Sequence, residues 1–459
     1  MDLAGRLAEY ALSVKHQNLD ERTAKEIKAR LVDALGCAIG AFDEGPVAMA
    51  RRFASKASDR GPSTLLGTGS ASAPPVATFV NGLMMRYFDF NDTYLSKEPA
   101  HPSDNLAPCL AVSQAEGAGG KELMAAAVAA YEIQCRLCDA ADIRHRGWDH
   151  VNYGLVSASL AAAKLMGLGA GESTQAVNIA LNGHIAMRQV RAGELSMWKG
   201  ASFANAARNA VFAAMLAREG MTGPSPIFEG EMGFFKQVSG PFTLDVEGFG
   251  GRNGKYKVAE TYVKYWPAEY HAQTAVWAAL EIRKKVKDMG RVESVLVETH
   301  EAGYTILAKD KEKWAPRTKE TADHSLPFIV GMALLHGTVD NSTYGDDNIS
   351  DRGNLAFVKK IKAAEDPALT AMYPGAMANR LTVKEKGGKE TSAQVDVPRG
   401  HPGNPMGREE IEAKFLKLAS GKVKGSEARE ALRRLWRLED ERELGGVLSL
   451  LRVQHPSKA

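Results

Sequence analysis

The spacing of apolar residues predicts that the first half of the chain is almost entirely helical. Asp20 can cap a helix in which Ile27 and Leu31 recur at helical spacing. Similar apolar stripes predict further helices over residues 76–87, 121–141, 156–166, 172–185 and 202–218. Several of these segments are rich in alanine, whose small side chain lets helices approach closely. We therefore expect a compact helical bundle.

The pattern changes after residue 226, where glycine-rich segments interrupt the helical periodicity. Residues 292–299 alternate between apolar and polar side chains, which is typical of a half-buried strand. Residues 380–384 and 392–397 flank the pair Gly387-Gly388 and predict a β-hairpin with a Gly-Gly turn. This part of the chain therefore mixes strands with helices.

Helical stretches over residues 272–287 and 325–336 surround the predicted strand, and the C-terminal segment is helical again. The sequence thus predicts a mainly α fold with two domains. We expect an all-helical, discontinuous bundle domain over residues 1–264, completed by residues 401–459, and a smaller α+β lid domain over residues 265–400. The junction between two domains is a common place for a substrate site.

The charge balance argues against a nucleic-acid partner. The 459 residues include 58 basic and 55 acidic side chains, interspersed to a net charge of +3, without a concentrated basic face. No apolar run reaches the length of a membrane span, and the N-terminus resembles neither a secretory signal nor a transit peptide. We expect a cytoplasmic protein with no membrane partner, in which anions are recognised locally.

The four cysteines predict reduced thiols rather than a disulfide framework. Cys135 and Cys138 form a CxxC pair, but it lies within a predicted helix and has no matching second pair. A structural zinc site normally needs four ligands, and an iron–sulfur cluster needs several cysteines. We therefore expect neither a structural zinc site nor an iron–sulfur cluster.

Two polar stretches in the first half combine carboxylates with imidazoles. Asp92 and His101 fall between two predicted helices, and His150, followed by Tyr153, comes just before another helix. Removal of water next to a carboxylate needs a base for a weakly acidic C–H and an acid for the departing hydroxide. Both imidazoles are candidates for these roles. The alternative is that Asp104 or Ser103 merely caps the next helix, with His101 incidental, and that His150 is an ordinary residue of a capping region.

Cationic residues form two further candidate stretches. Arg188 and Arg191, followed by Lys199, form a candidate clamp for substrate carboxylates, because guanidinium groups pair with them bidentately. A solvated basic loop is the alternative. His324 is a weaker candidate. At the predicted domain boundary, basic, acidic and imidazole side chains surround Pro267: Lys264, Glu269 and His271.

Taken in chain order, these stretches resemble the MmgE/PrpD family over nearly the whole length. The resemblance rests on residues 87–93, 101–106, 149–151, 198–199, 267–276 and 323–325. It implies an all-helical domain with an α+β lid, an active site between them, a homodimer, and no metal or organic cofactor. Five residues match active-site positions of the family: Asp92, His101, His150, Lys199 and Lys264.

The resemblance also implies a reaction on a citrate-like acid. The family includes 2-methylcitrate dehydratases, cis-aconitate decarboxylases and iminodisuccinate epimerases. Glu269 stands where the decarboxylases tend to carry histidine, which favours dehydration. We expect a hydro-lyase that converts 2-methylcitrate, and also citrate, to the cis-aconitate product within the methylcitrate cycle of propionate catabolism. Decarboxylation, epimerisation or a helical scaffold without activity are the alternatives.

The expected mechanism divides the work among these side chains. We hypothesise that Lys199, with Arg188 or Arg191, binds the substrate carboxylates. Either His101 or His150 removes the proton, and the other assists the departure of hydroxide. The Asp92 carboxylate would orient one imidazole, as a carboxylate does in catalytic triads. Glu269, His271, Lys264 and Tyr153 are expected to contact the substrate.

Overall fold

The computed structural model describes residues 1–57 and 61–454. Its first part is helical, as the apolar spacing predicts. The helices are α1 (Leu3–Ser13), α2 (Glu21–Gly40), α3 (Gly45–Ala57), α4 (Pro74–Arg86), α5 (Leu106–Ala115), α6 (Gly120–Ala140), α7 (Val151–Leu165), α8 (Ala170–Gly183) and α9 (Trp198–Arg218). Asp20 caps α2, because its carboxylate accepts a hydrogen bond from the Thr23 amide at 2.8 Å.

A short antiparallel ladder interrupts these helices, and the sequence pattern did not predict it. Its strands are β1 (Ser63–Thr64) and β2 (Ala71–Ser72). At two residues each, they are too short to show the alternation by which a strand is recognised.

The second part of the chain alternates helices with the strands of a small sheet. In order it contains α10 (Gln273–Lys285), β3 (Val292–Thr299), α11 (Glu301–Leu307), α12 (Lys319–Ala322), α13 (Leu326–His336), α14 (Asp346–Ser350), α15 (Arg352–Val358), β4 (Ile361–Glu365), α16 (Pro367–Met372), β5 (Asn379–Glu385) and β6 (Glu390–Val395). The chain ends in α17 (Arg408–Ala419), α18 (Gly425–Leu435) and α19 (Gly445–Ser449).

The sheet has the strand order β4-β3-β5-β6. Strand β3 runs parallel to β4 and antiparallel to β5, which continues into β6 as the predicted hairpin. Gly387 and Gly388 in the hairpin turn have φ angles of 105° and 85°, where L side chains are rarely found. Strand β4 was not predicted, because alanine, lysine and glutamate dominate it and its strand conformation comes from pairing with β3.

Two hydrophobic cores organise these elements. The helical core runs from Leu3 to Val258 and is completed by residues of α17 to α19, from Ile411 to Val453. The mixed core, from Ala268 to Val383, lies between α10, α13 and the sheet. Helix α17 returns to pack closely on α2, where a Cβ atom at Gly36 would lie 3.1 Å from the Phe415 Cα atom.

This architecture confirms the predicted fold class, a mainly α protein with a smaller region of helices and sheet. The domain limits at residues 264/265 and 400/401 stay a prediction, and the last residues assigned to the helical domain, 455–459, lie outside the described residues. No helix in the described part of the chain has the length and apolar character needed to cross a membrane.

Candidate active site

A cavity of about 180 Å³ lies between the two cores and is lined mainly by polar and charged side chains. The elements around the helical core contribute Arg86, Asp89, His101, His150, Arg188 and Lys199. The elements around the mixed core contribute Glu269, His271, Lys313 and His324. Arg191 also lines the cavity. With it, seven of the ten residues predicted to form a site line one cavity.

The loop between α4 and α5 carries the residues at the centre of the cavity. Its course is fixed by backbone bridges that pair Thr93 with Tyr262 and Tyr94 with Ala100. Asp89, just beyond the end of α4, has a φ of 49°, which is unusual for a residue other than glycine. Backbone strain of this kind is often found at functional sites.

Asp89 is a buried anion enclosed by cations, and the sequence reasoning did not select it. Its carboxylate pairs with Arg86, and Oδ2 lies 3.1 Å from Lys264 Nζ and 3.9 Å from Lys199 Nζ. Burial opposes ionisation, but Arg86, Lys199 and Lys264 hold the pKa of Asp89 well below its usual range. Asp89 therefore stays ionised and keeps several cations at the cavity wall.

The hydrogen bonds of His101 determine its tautomer. Nδ1 lies 2.7 Å from the carbonyl oxygen of Asp92, which can only accept, so Nδ1 carries the proton. In the neutral ring Nε2 is then an acceptor, and Arg86 Nη2 donates to it at 2.9 Å. Burial and the positive charge of Arg86 hold the pKa of His101 well below its usual value. His101 is therefore a neutral imidazole whose lone pair is on Nε2.

Asp92 makes a different contact from the one predicted. Its carboxylate accepts hydrogen bonds from the Ser103 amide and the Tyr131 hydroxyl, both at 2.9 Å, and Asp92 is not among the residues that line the cavity. The backbone carbonyl of Asp92, rather than its carboxylate, orients His101. The Asp92 carboxylate thus holds the loop in place, and its backbone carbonyl fixes the tautomer of His101.

His150 precedes the first turn of α7 and faces the ring of His101, with 5.7 Å between the ring centroids. Burial lowers the pKa of His150 to about 3, although Asp149 opposes the shift. Nδ1 is buried and has no hydrogen-bond partner among the described residues, and Nε2 lies 3.8 Å from Asp149 Oδ1. We place the proton of this neutral ring on Nε2, because an N–H at Nδ1 would be buried without a partner.

The two arginines of the predicted clamp have different environments. Arg191 pairs bidentately with Asp149, at 2.9 Å and 3.2 Å, so its guanidinium is already neutralised by the protein. The side chain of Arg188 has no hydrogen bond or ion pair with any described residue, yet it lines the cavity. Burial and the neighbouring Arg191 lower the pKa of Arg188. Arg188 is therefore the guanidinium available to an incoming carboxylate.

Lys199 contacts a carboxylate–imidazole pair that the sequence reasoning largely missed. Its Nζ lies 3.1 Å from both Asp323 Oδ1 and His324 Nδ1. His324 Nδ1 in turn lies 2.6 Å from Asp323 Oδ1. The triad-like pairing that was expected at Asp92 thus occurs here, and the Asp323-His324-Ser325 segment was the available signal for it.

Lys313 is a second buried cation without a described ionic partner. It is 3% exposed and lines the same cavity. Burial, together with the positive charge of Lys199, lowers the pKa of Lys313. No motif in the sequence distinguishes Lys313 from other lysines, so only the fold reveals it.

Two predicted substrate contacts lie outside the cavity lining. Tyr153 is fully buried, and its hydroxyl donates to the Ala141 carbonyl at 2.9 Å, which anchors α7 to the end of α6. Lys264 is also fully buried, and its Nζ donates to the Asp89 carbonyl at 2.8 Å. The structure therefore gives Tyr153 a packing role and makes Lys264 a support for Asp89.

Glu269 and His271 line the side of the cavity that belongs to the mixed core. Glu269 Oε2 accepts a hydrogen bond from the backbone amide of His271 at 2.7 Å. Burial raises the pKa of Glu269, although His324 and Lys264 oppose the shift. Glu269 is thus the carboxyl group in the cavity whose environment favours the protonated form.

All four cysteines are buried free thiols, as predicted. Burial raises the pKa of Cys37 and of Cys109 to about 12, which makes them unreactive. Within the described parts of the chain, no group of three or more His, Cys, Asp or Glu side chains is arranged to hold a metal ion.

The arrangement combines three chemical capacities in one enclosed space. Arg188, Lys313 and Lys199 provide positive charge for a polyanion, and Glu269 provides a carboxyl group with a raised pKa. His101 provides a neutral imidazole, whose Nε2 accepts a hydrogen bond from Arg86. A cation cluster beside a base and an acid suits proton removal next to a carboxylate, because the negative charge that develops is stabilised.

The sequence matches two domain models of one protein family. Residues 5–247 match the model of the MmgE/PrpD N-terminal domain, and residues 266–439 match that of the C-terminal domain. The 2-methylcitrate dehydratase of Salmonella typhimurium is 31% identical over 400 residues, which cover 81% of this chain and 80% of that protein. The 2-methylcitrate dehydratase of Cupriavidus necator is 32% identical over 405 residues, with the same shares covered. An alkylcitrate dehydratase from a fungal species is 27% identical over 461 residues, 91% of this chain and 89% of that protein. These matches confirm the resemblance found in the sequence, and the chain belongs to the MmgE/PrpD family.

Proposed function

We propose that this protein removes water from 2-methylcitrate, and also from citrate, to give the corresponding cis-aconitate. The relatives described above are dehydratases of citrate-type acids, which confirms the predicted enzyme class, a carbon–oxygen hydro-lyase. The choice of 2-methylcitrate as the preferred substrate follows the names of the bacterial relatives.

The cations of the cavity support a tricarboxylate substrate. Arg188 and Lys313 have no carboxylate partner in the described protein, and Lys199 shares its charge with Asp323 and Asp89. Charge-assisted hydrogen bonds to carboxylates are about twice as strong as neutral ones. A trianionic substrate would therefore be held by Arg188 and Lys313, with Lys199 on the same cavity wall.

The hydrogen bonds favour His101 as the base. Its Nδ1–H is fixed on the Asp92 carbonyl, and its Nε2 accepts a hydrogen bond from Arg86. When a bound carboxylate draws the Arg86 guanidinium to itself, the lone pair of Nε2 is released and can take the proton from the carbon next to a carboxylate. The electron pair of that C–H bond forms the C=C bond, and the C–O bond to the hydroxyl group breaks. Bound carboxylates would raise the low pKa of His101, because negative charge favours the imidazolium form.

Glu269 is the acid in this proposal. The observation that carries the assignment is its place in the cavity lining, where Oε2 accepts from the His271 amide and Oε1 has no hydrogen bond within the described protein. Burial, which raises its pKa, agrees with this role. Its proton would pass to the departing hydroxyl oxygen, so that water leaves and a carboxylate remains. His150, with its pKa near 3, is a neutral ring and a poor acid. We assign His150 the donation of its Nε2–H to a substrate carboxylate.

The test is the ultraviolet absorbance of the conjugated product. Protein treated with EDTA would be mixed in turn with 2-methylcitrate, citrate and cis-aconitate. We expect the absorbance to rise with 2-methylcitrate. In the Glu269→Gln variant the rate of this rise should be about 10²–10⁴-fold lower, because a general acid is lost. No rise with either hydroxy acid overturns the proposal, and release of CO₂ from cis-aconitate would assign decarboxylation instead.

A further inference from the structure

Two imidazoles of the mixed core are hydrogen-bonded to each other beside the cavity. His271 Nδ1 and His300 Nε2 lie 2.8 Å apart, and both residues are at least 98% buried, with exposed fractions of 2% and 0%. His300 Nδ1 lies 3.4 Å from the carbonyl oxygen of Ala378. The ring of Tyr373 stacks on His300 at 5.2 Å between centroids and holds it in place.

This chain of hydrogen bonds has a single direction. His300 Nδ1 lies near the Ala378 carbonyl, which can only accept, and 3.5 Å from the Thr299 hydroxyl, which can also accept. We therefore place the proton of His300 on Nδ1 and its lone pair on Nε2. That lone pair accepts from His271 Nδ1–H, which leaves a lone pair on His271 Nε2. Burial lowers the pKa of His271 to about 3 and that of His300 to about 4, so both rings are neutral at neutral pH.

The free nitrogen of His271 lies close to the free oxygen of Glu269. His271 Nε2 and Glu269 Oε1 are 4.0 Å apart, and neither forms a hydrogen bond within the described protein. An oxygen atom at about 2.8 Å from each, an ordinary hydrogen-bond length, fits between atoms with this separation. The protonated carboxyl would donate to that oxygen, and the imidazole would accept from it.

We propose that Glu269 and His271 form a subsite for the hydroxyl group of the substrate, and that His300 is a positioning residue which fixes His271 as the acceptor. A hydroxyl group is both donor and acceptor, which matches this pair. The proposal rests on the proposed function, since it names the groups that recognise the leaving group of that reaction. It also predicts selection for hydroxy acids over acids that lack the hydroxyl.

Comparison of two ligands measures the contribution of the hydroxyl group to binding. Citrate and tricarballylate carry the same three carboxylates, but tricarballylate lacks the hydroxyl. Calorimetry with the full-length protein is expected to show that citrate binds at least about tenfold more tightly, because a site built for a hydroxyl leaves buried polar groups unpaired without it.

The variants His300→Leu and His300→Gln separate positioning from packing. Leucine removes the acceptor for His271 Nδ1–H, which frees the ring to move its proton to Nε2, whereas the glutamine oxygen can still accept. We expect His300→Leu to reduce the preference for citrate about tenfold without changing the affinity for tricarballylate. His300→Gln should retain the preference.

Equal loss of affinity for both ligands in His300→Leu, or an unchanged preference, overturns the positioning role. If His300→Leu does not fold, His271→Asn is the second variant, and an unchanged preference there overturns the subsite. Failure of the proposed function is seen separately, in the turnover of the wild type. A wild type that forms the conjugated acid but binds both ligands equally overturns the subsite alone.

Discussion

Replacing Asp89 with asparagine tests whether one buried carboxylate holds the cations of the cavity together. Asparagine keeps nearly the same shape and tolerates the φ of 49° at this position, so the variant removes charge without adding backbone strain. The Asp89 carboxylate is 1% exposed and contacts Arg86, Lys264 and Lys199. The substitution would leave these three cations without their shared anion.

The expected loss is large because the charges are buried. Removing one partner of a buried ion pair typically costs about 3–5 kcal/mol, which corresponds to about a 10²–10³-fold or larger change in the unfolding equilibrium. Asp440→Asn is the matched control. Asp440 also pairs with an arginine, Arg437 at 2.8 Å, but its side chain is 55% exposed, so its loss should cost less than about 1 kcal/mol.

Chemical denaturation followed by tryptophan fluorescence measures both free energies of unfolding. The pH dependence adds a second check, because the folded-state pKa of Asp89 is depressed. Such a carboxylate stabilises the fold above its unfolded pKa of about 3.9, and this contribution is lost as the pH falls further. The difference between wild type and Asp89→Asn should therefore be constant from about pH 8 to 5 and shrink below about pH 4. An effect no larger than that of Asp440→Asn would refute the reasoning.

Three further predictions concern catalysis and acid stability. Arg188→Gln should raise KM about 10–100-fold with little change in kcat, because it removes a contact to a substrate carboxylate. Steady-state kinetics measures both constants, with a substitution of the exposed residue Arg433, Arg433→Gln, as the control. An unchanged KM contradicts the prediction. His101→Ala should stay folded by circular dichroism and lose about 10²–10⁴-fold in kcat, and near-native turnover would exclude it as the base. The free energy of unfolding should fall as the pH drops from about 6.5 towards 3, by up to about 1.4 kcal/mol per pH unit for each of His150 and His271. The reason is that these two rings are protonated in the unfolded chain over this range but stay neutral in the folded protein, where burial lowers their pKa values to about 3. Denaturation curves at a series of pH values check this, and a flat profile over that range contradicts it.

The helical part of the fold was predictable because its apolar residues repeat with the helical period over long segments. The hairpin was also predictable, because Gly387 and Gly388 mark its turn. Strand β4 was not predictable, since its residues become a strand only through pairing with β3. Pairings between segments far apart in sequence leave no local signal when the residues themselves favour helix.

The residues that line the cavity were predictable where a motif marked them, as at His101, His150 and Glu269. The charge network was not, because Asp89 differs from Asp92 only in where the chain turns, and sequence spacing does not show which carboxylate faces the cations. Lys313 and His300 join the site through tertiary packing alone. The homodimer, the cytoplasmic location and the domain limits remain predictions.

The position of the cavity between two separate cores divides the chemistry of the protein into two halves. His101 and Arg188, to which we assign the proton and the carboxylates, belong to the helical side, whereas Glu269 and His271, to which we assign the leaving group, belong to the mixed side. Under this assignment, substitutions on the mixed side would change the bond that breaks after proton removal, while the groups that remove the proton stay the same. Such a division would allow different reactions to evolve from the same proton removal, through substitutions among the cavity residues of the mixed side.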